Sequence, residues 1–266
     1  MTELAKCLIF PYYIAKAQPL KLRDTEIFDF CQKEPSYAIS KDYDLQVIKK
    51  LSKQFRCTVN DLITNIFLEA YSFYSWDYKT YKPYIFKSCI AINFRKPLRQ
   101  KADMTFFNNL IVPETSMLMP MYYEDDTTDR DQLFRKLMLK NQAIFTQLKN
   151  NTDYRAILFG SQVMSYFLPT PMIPKISPAI LEPSRRTFSN ICGPAKPYQI
   201  GGVYTKRMHF RDSIIGRNAS VNYFSHNGIF RVSMYVNQID YDVKKQIEIF
   251  EKQLDYWIDK YCEQIY

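Results

Sequence analysis

Apolar positions recur along this chain with two different periods, and the alternation between them outlines the fold. From Asp44, Leu45, Ile48, Leu51 and Phe55 recur at helical spacing, with Lys49, Lys50, Lys53 and Gln54 on the other side. A stronger helical pattern follows. Thr58 and Asp61 stand three residues apart, as in a capping box, ahead of Val59, Leu62, Ile63, Ile66, Phe67, Ala70 and Tyr71. Tyr84 to Phe94 is almost wholly apolar and reads as a strand buried on both faces, ended by Pro97. Phe106 to Pro113 is a second strand candidate, trailing into a Met- and Pro-containing loop.

Asp129 or Asp131 opens a helix carrying Phe134, Leu137, Met138, Phe145 and Leu148, and Tyr154 to Leu168 predicts another. Five prolines between Pro169 and Pro183 then mark a stiff connector. Thr187 to Ile191 predicts a short strand, which Gly193-Pro194 stops with a turn. Pro197 and Gly201-Gly202 keep the following segment irregular. Three of the chain's six glycines fall in this stretch, so its backbone is specified unusually tightly.

Beyond it the period changes to two. Ala219, Val221 and Tyr223 alternate with Ser220 and Asn222; Phe230, Val232, Met234 and Val236 alternate with Arg231 and Ser233. Asn227-Gly228 between these runs is a hairpin signal, and it places His226 in a solvated turn. A last amphipathic helix carries Val243, Ile247, Phe250, Leu254, Trp257 and Tyr261. Together these elements predict an α/β domain, a layered mixed β-sheet with flanking helices, over residues 41–266. Residues 1–40 show no sustained period and read as an extended arm.

Composition changes this picture little. The 266 residues carry a formal net charge of +9, which favours anionic partners: nucleic acid, an acidic phospholipid surface, or the phosphates of a coenzyme. Six scattered cysteines without a Cys-x-x-Cys pair argue against a zinc site or a disulfide framework and fit a reducing, intracellular compartment. No run approaches the ~18 apolar residues of a membrane-spanning helix. The N-terminal apolar stretch lacks a net positive charge before it and is broken by Pro11, which argues against a secretory signal. P-loop, dinucleotide-binding and nucleophile-elbow motifs are absent, as are RNA-recognition signatures.

The stretch Ser189-Asn190-Ile191-Cys192-Gly193-Pro194 resembles the "SN-x-x-GP" signature of the wax ester synthase/diacylglycerol acyltransferase family. Collinear pieces extend the resemblance across most of the chain. Cys57 to Tyr71 is similar to the family's "TVND" helix, Cys89 to Pro97 to its "PVNLR" strand, and Phe106 to Pro120 to its "GN-x-x…LP" segment, with Asn108 where the family has glycine. The hairpin around Asn227-Gly228 matches the family's closing pattern.

This resemblance implies the C-terminal lobe of an acyl-CoA-dependent O-acyltransferase, related in fold to chloramphenicol acetyltransferase. It implies acyl-CoA as substrate and no bound cofactor or metal. Asn60, Asp61, Arg95, Ser189, Asn190, Gly193 and Pro194 become candidate substrate-contacting positions. Each also has a structural role open to it: a helix cap for Asp61, an ion pair for Arg95, a strand end and turn for the others.

The family's catalytic motif, His-His-x-x-x-Asp-Gly, has no counterpart in these 266 residues, whose two histidines, His209 and His226, lie apart. The resemblance therefore implies a lobe that does not catalyse alone. It would work with an N-terminal-type acyltransferase lobe, or serve as an inactive assembly subunit of a larger complex. Nucleic-acid binding is a weaker alternative resting only on the charge and the abundant aromatic residues.

Overall fold

In the computed structural model, residues 36–74, 85–90, 92–93, 110–111, 114–118, 129–150, 186–209, 219–236 and 241–262 are described. The chain enters the fold as β1 (Ser36–Ile39) and β2 (Tyr43–Asp44), and Asp44 then caps α1 (Leu45–Gln54) by accepting from the Gln46 amide at 2.7 Å. Ser36–Ile39 belongs to the segment that sequence assigns to an arm, yet it pairs antiparallel with the strand Ile229–Val236. Four residues are too few for a period to show. Residues 1–35 of the arm lie outside the described residues.

Helix α2 (Val59–Tyr74) starts at the capping box expected from Thr58 and Asp61. The Asp61 amide donates to Thr58 Oγ1 at 3.2 Å, and the Thr58 amide donates to Asp61 Oδ2 at 3.1 Å. Every side chain from Asp61 to Ser72 is buried, so α2 is a central helix enclosed all round rather than an amphipathic surface one.

Next come β3 (Ile85–Ile90), β4 (Ile92–Asn93), β5 (Leu110–Ile111) and β6 (Glu114–Leu118). The last corrects the sequence reading, which ended the strand at Pro113 and continued as loop. Glu114–Leu118 instead pairs antiparallel with β3, and Met117, its partner to Phe86, is fully buried. The predicted helix at Tyr154–Leu168 lies outside the described residues. Helix α3 (Arg130–Asn150) begins where Asp129 Oδ1 accepts from the Asp131 amide.

Strand β7 (Arg186–Cys192) precedes a two-stranded hairpin of β8 (Gln199–Ile200) and β9 (Val203–Tyr204). Gly201 and Gly202 form its turn at φ +56° and +85°. Sequence reading took the glycines as a sign of irregularity, whereas they supply the left-handed backbone that a tight hairpin needs. Strands β10 (Ala219–His226) and β11 (Ile229–Val236) turn through Asn227 and Gly228, also in the left-handed region, as predicted. Helix α4 (Val243–Cys262) closes the fold.

The main sheet has the order β1-β11-β10-β7-β3-β6, with β2 also on β11; β10-β7 and β7-β3 are parallel and the other pairs antiparallel. One face packs on the helices. Phe188 meets Phe67 of α2 edge-on, with ring centroids 5.5 Å apart, and Phe67 lies 6.0 Å from Phe250 of α4. Tyr223, Val232, Met234 and Ala219 fill the same layer.

Candidate functional site

The order in which α2 crosses the sheet decides where the sequence-predicted residues fall. Phe67 meets Phe188, and one turn earlier Thr64 faces Tyr223, the register partner of Asn190. The N-terminus of α2, with Asn60 and Asp61, therefore lies toward the end of β7 that runs into Gly193-Pro194. Asn60 is half-buried and Asp61 is buried. One Asp61 oxygen closes the capping box; the other, Oδ1, is enclosed without a hydrogen bond. Arg95 lies outside the described residues.

Gly193 and Pro194 act through their backbones. The Gly193 amide donates to the Ser225 carbonyl at 2.8 Å, and the Pro194 carbonyl accepts from the Asn227 amide at 3.1 Å. These bonds tie the end of β7 to the tip of the β10-β11 hairpin. A Cβ at position 193 would stand 2.3 Å from the Ser225 oxygen and 2.8 Å from Phe224 Cζ, so only glycine permits this approach.

Strand alternation separates Ser189 from Asn190. Asn190 pairs in register with Tyr223 on the helix side and is exposed at the strand end. Ser189 pairs with Asn222 on the opposite face, where Thr187, Ser220 and Ser233 also lie. Asn222 donates to Ser220 Oγ at 3.0 Å. Thr187, Ser220, Asn222 and Ser233 are all buried, so this face carries an enclosed row of hydroxyls and an amide, with Arg231, paired to Asp42, next along β11. Sequence reading saw the alternation but did not single these residues out. The signal available was their type: small hydroxyl and amide side chains, where a solvated strand face commonly carries long charged ones.

His226 corrects the sequence reading. It ends β10 rather than occupying the turn, and it is buried. Its Nε2 lies 3.2 Å from Thr205 Oγ1 and 3.3 Å from the Thr205 carbonyl, and the Tyr198 ring stacks on it with centroids 6.1 Å apart. Thr205 Oγ1 also accepts from the Tyr198 amide and faces the Tyr198 carbonyl, which fixes its own proton there. Nε2 is then the donor, and the enclosed Nδ1 takes no hydrogen bond. His226 thus anchors the β8-β9 hairpin. It shares a face with Asn222 but stands four residues along the strand, ~13 Å at strand rise, too far to act on a group held there. His209 is exposed, with its ring 6.1 Å from that of Tyr37.

Nucleophilic chemistry finds little support among the described residues. Burial pushes the Cys57 thiol up to about 12, with the Asp61 charge adding to the effect, so it stays protonated and unreactive. Cys192 is exposed beside Gly193. No group of His, Cys, Asp and Glu suited to a metal ion occurs among the described residues. Nor is any described helix long and apolar enough to cross a membrane. The enclosed hydroxyl and amide row is engaged within the fold, as in the Asn222–Ser220 bond, and holds no proton-transfer pair.

Solved structures supply the fold. Over 98% of its length the chain superimposes on 56% of a wax ester synthase/diacylglycerol acyltransferase from Marinobacter aquaeolei VT8, with TM-score 0.56 and 14% identity. Trichothecene 15-O-acetyltransferase from Fusarium sporotrichioides matches 96% of the chain over 52% of its own, with TM-score 0.60 and 10% identity. The epimerization domain from the third module of tyrocidine synthetase B matches 96% over 56%, with TM-score 0.56 and 11% identity. The chain therefore has the chloramphenicol-acetyltransferase-like fold shared by acyltransferases and condensation domains, and it spans just over half the length of each structure. No family model and no curated protein matches the sequence.

Proposed function

We infer that this chain is the C-terminal-type half of an acyl-CoA-dependent O-acyltransferase of the wax ester or triacylglycerol type. In this reading it is a half that shapes the substrate path and leaves proton transfer to a partner lobe. The observation that carries the reading is the match of nearly the whole chain to about half of an O-acyltransferase. Two features of the site support it. The far face of the sheet carries an enclosed row of neutral polar side chains, Thr187, Ser220, Asn222 and Ser233, where the helix face is apolar. Neither histidine is placed as a general base, since His226 is spent on its hairpin and His209 sits apart. Asn60, Asp61 and Asn190 then act as positioning residues on the helix side of β7, and Ser189 on its opposite face.

Purified chain incubated with labelled acyl-CoA and a long-chain alcohol or diacylglycerol is expected to form no ester. Affinity capture from the source cell should recover a protein carrying His-His-x-x-x-Asp-Gly, and mixing the two should restore turnover. Turnover by the isolated chain would overturn the reading. Capture of a stable assembly without that motif would make the chain a structural subunit instead. A salt-sensitive shift of nucleic acid would redirect it altogether.

A further inference from the structure

The β8-β9 hairpin carries a concentration of exposed apolar side chains. Ile200 and Val203 flank its glycine turn at 68% and 71% exposure, and Tyr198 and Tyr204 follow at 50% and 67%. One step further down, Lys196, Lys206 and Arg207 are exposed at the root. No acidic residue occurs between Thr187 and His209. We propose that this hairpin is a membrane-contact element whose tip enters the surface of a bilayer containing acidic phospholipid.

The order of residues along the hairpin selects that partner. Aliphatic side chains stand at the tip, tyrosines next, and cations beneath them, in the sequence of layers from acyl chain through interface to anionic headgroup. Val203 and Lys206 are three residues apart, ~10 Å at strand rise, and interfacial elements bury their apolar face ~5–10 Å deep. A protein partner would need the apolar tip but has no requirement for cations one step behind the tyrosines.

The root is held firmly enough to transmit this contact. Tyr198 stacks on His226, the Thr205 amide donates to the Tyr198 carbonyl at 2.7 Å, and Arg207 pairs with Asp42 at 3.0 Å. Asp42 also holds Arg231, so one carboxylate answers two guanidinium groups and the root stays cationic. This inference stands independently of the acyltransferase reading, since the hairpin would seat any activity at a membrane surface.

Flotation with phosphatidylcholine vesicles containing about 30% phosphatidylserine tests it. The full chain is expected to bind these vesicles, to bind pure phosphatidylcholine far less, and to dissociate as salt rises. The I200S/V203S variant should lose about a hundredfold in partitioning, and K196A or K206A about fivefold each. These side chains are exposed, so circular dichroism and Tm should not change. Y204W gives a direct signal: its emission should shift to the blue with anionic vesicles alone. Absence of vesicle binding, equal binding by I200S/V203S, or equal binding to neutral lipid would overturn the proposal. So would an I200S/V203S change that converts a dimer to a monomer, or a captured protein that shields Tyr204 from quencher, because the hairpin would then be covered by protein.

Discussion

Replacing Arg130 should expose how the three longest helices are locked together. Glu69 of α2 is fully enclosed; its Oε1 accepts from Arg130 Nε of α3 at 3.0 Å, and its Oε2 accepts from Trp257 Nε1 of α4 at 2.7 Å. Arg130 also bonds Gln253 and lies 3.9 Å from the centroid of Tyr256. Arg130→Met leaves a buried carboxylate without its counter-charge, which costs about 3–5 kcal/mol. Loss of the cation–π contact adds about 0.5–1 kcal/mol. Partial exposure of Arg130, at 27%, moderates the total, giving an expected loss of about 4 kcal/mol. E69Q keeps a hydrogen-bonding group against Trp257 and frees Arg130 toward water, so it should cost about 1–2 kcal/mol. The decisive measurement is E69Q/R130M by urea unfolding, with far-UV circular dichroism as the signal and the m-value checked for constancy. With no buried charge left, the double variant should be more stable than R130M alone by at least about 1.5 kcal/mol. Costs that simply add would refute the idea that pairing of these two charges governs the joint.

Four further outcomes are expected. Gly193→Ala should cost about 3 kcal/mol, because the new Cβ meets the Ser225 carbonyl at 2.3 Å, whereas Gly201→Ala, at φ +56° with open space, should cost only about 1 kcal/mol; equal midpoints in urea would contradict this. Asn141 Nδ2 donates to Asn65 Oδ1 at 2.7 Å in the buried joint between α2 and α3, so Asn141→Ala should lower stability by about 1–3 kcal/mol in thermal melts. Cys57, Tyr43 and Tyr223 are all raised by burial, so the unfolded chain releases their protons at lower pH than the native one does. Stability should therefore be unaffected by these groups below about pH 8.5 and fall as pH rises through 9 and 10. Peptide mapping after brief alkylation should find Cys192 labelled and Cys57 protected.

What the sequence revealed depended on how local the responsible forces are. The capping box at Thr58 and Asp61, the Asn227-Gly228 turn and the stripe from Val243 to Trp257 each arise from residues a few positions apart, and each stands where expected. Glu114–Leu118 was not legible, because its strand exists through pairing with β3, and Pro113 marked an end only for the backbone before it. His226 was misplaced for a related reason: its burial comes from Tyr198 and Thr205, some twenty residues away. Glu69 gave no signal either. A glutamate on an apolar helix reads as solvated until Arg130 and Trp257 are brought to it. The far-face row was half-visible, since alternation identified Ser220 and Asn222 but not that they are enclosed.

That enclosure bears on function more than the match of folds does. Burying a hydroxyl or amide costs about 1–3 kcal/mol unless a hydrogen bond offsets it, and the helix face of the same strands shows what stability alone selects: Val221, Tyr223, Val232 and Met234. Ser220, Asn222 and Ser233 are each one residue removed from those positions, as Thr187 is from buried Phe188, and chemically opposite. Ser220 Oγ accepts from Asn222 Nδ2, so valine at Ser220 and Ser233 takes away the acceptor of a buried amide donor and should cost about 1–3 kcal/mol. If this lobe lines a substrate path, the S220V/S233V variant should also reduce ester formation in the reconstituted pair, measured at a temperature where circular dichroism shows it folded. Unaltered turnover from a partner-bound S220V/S233V protein would remove the polar face from the mechanism and leave the assembly-subunit reading in its place.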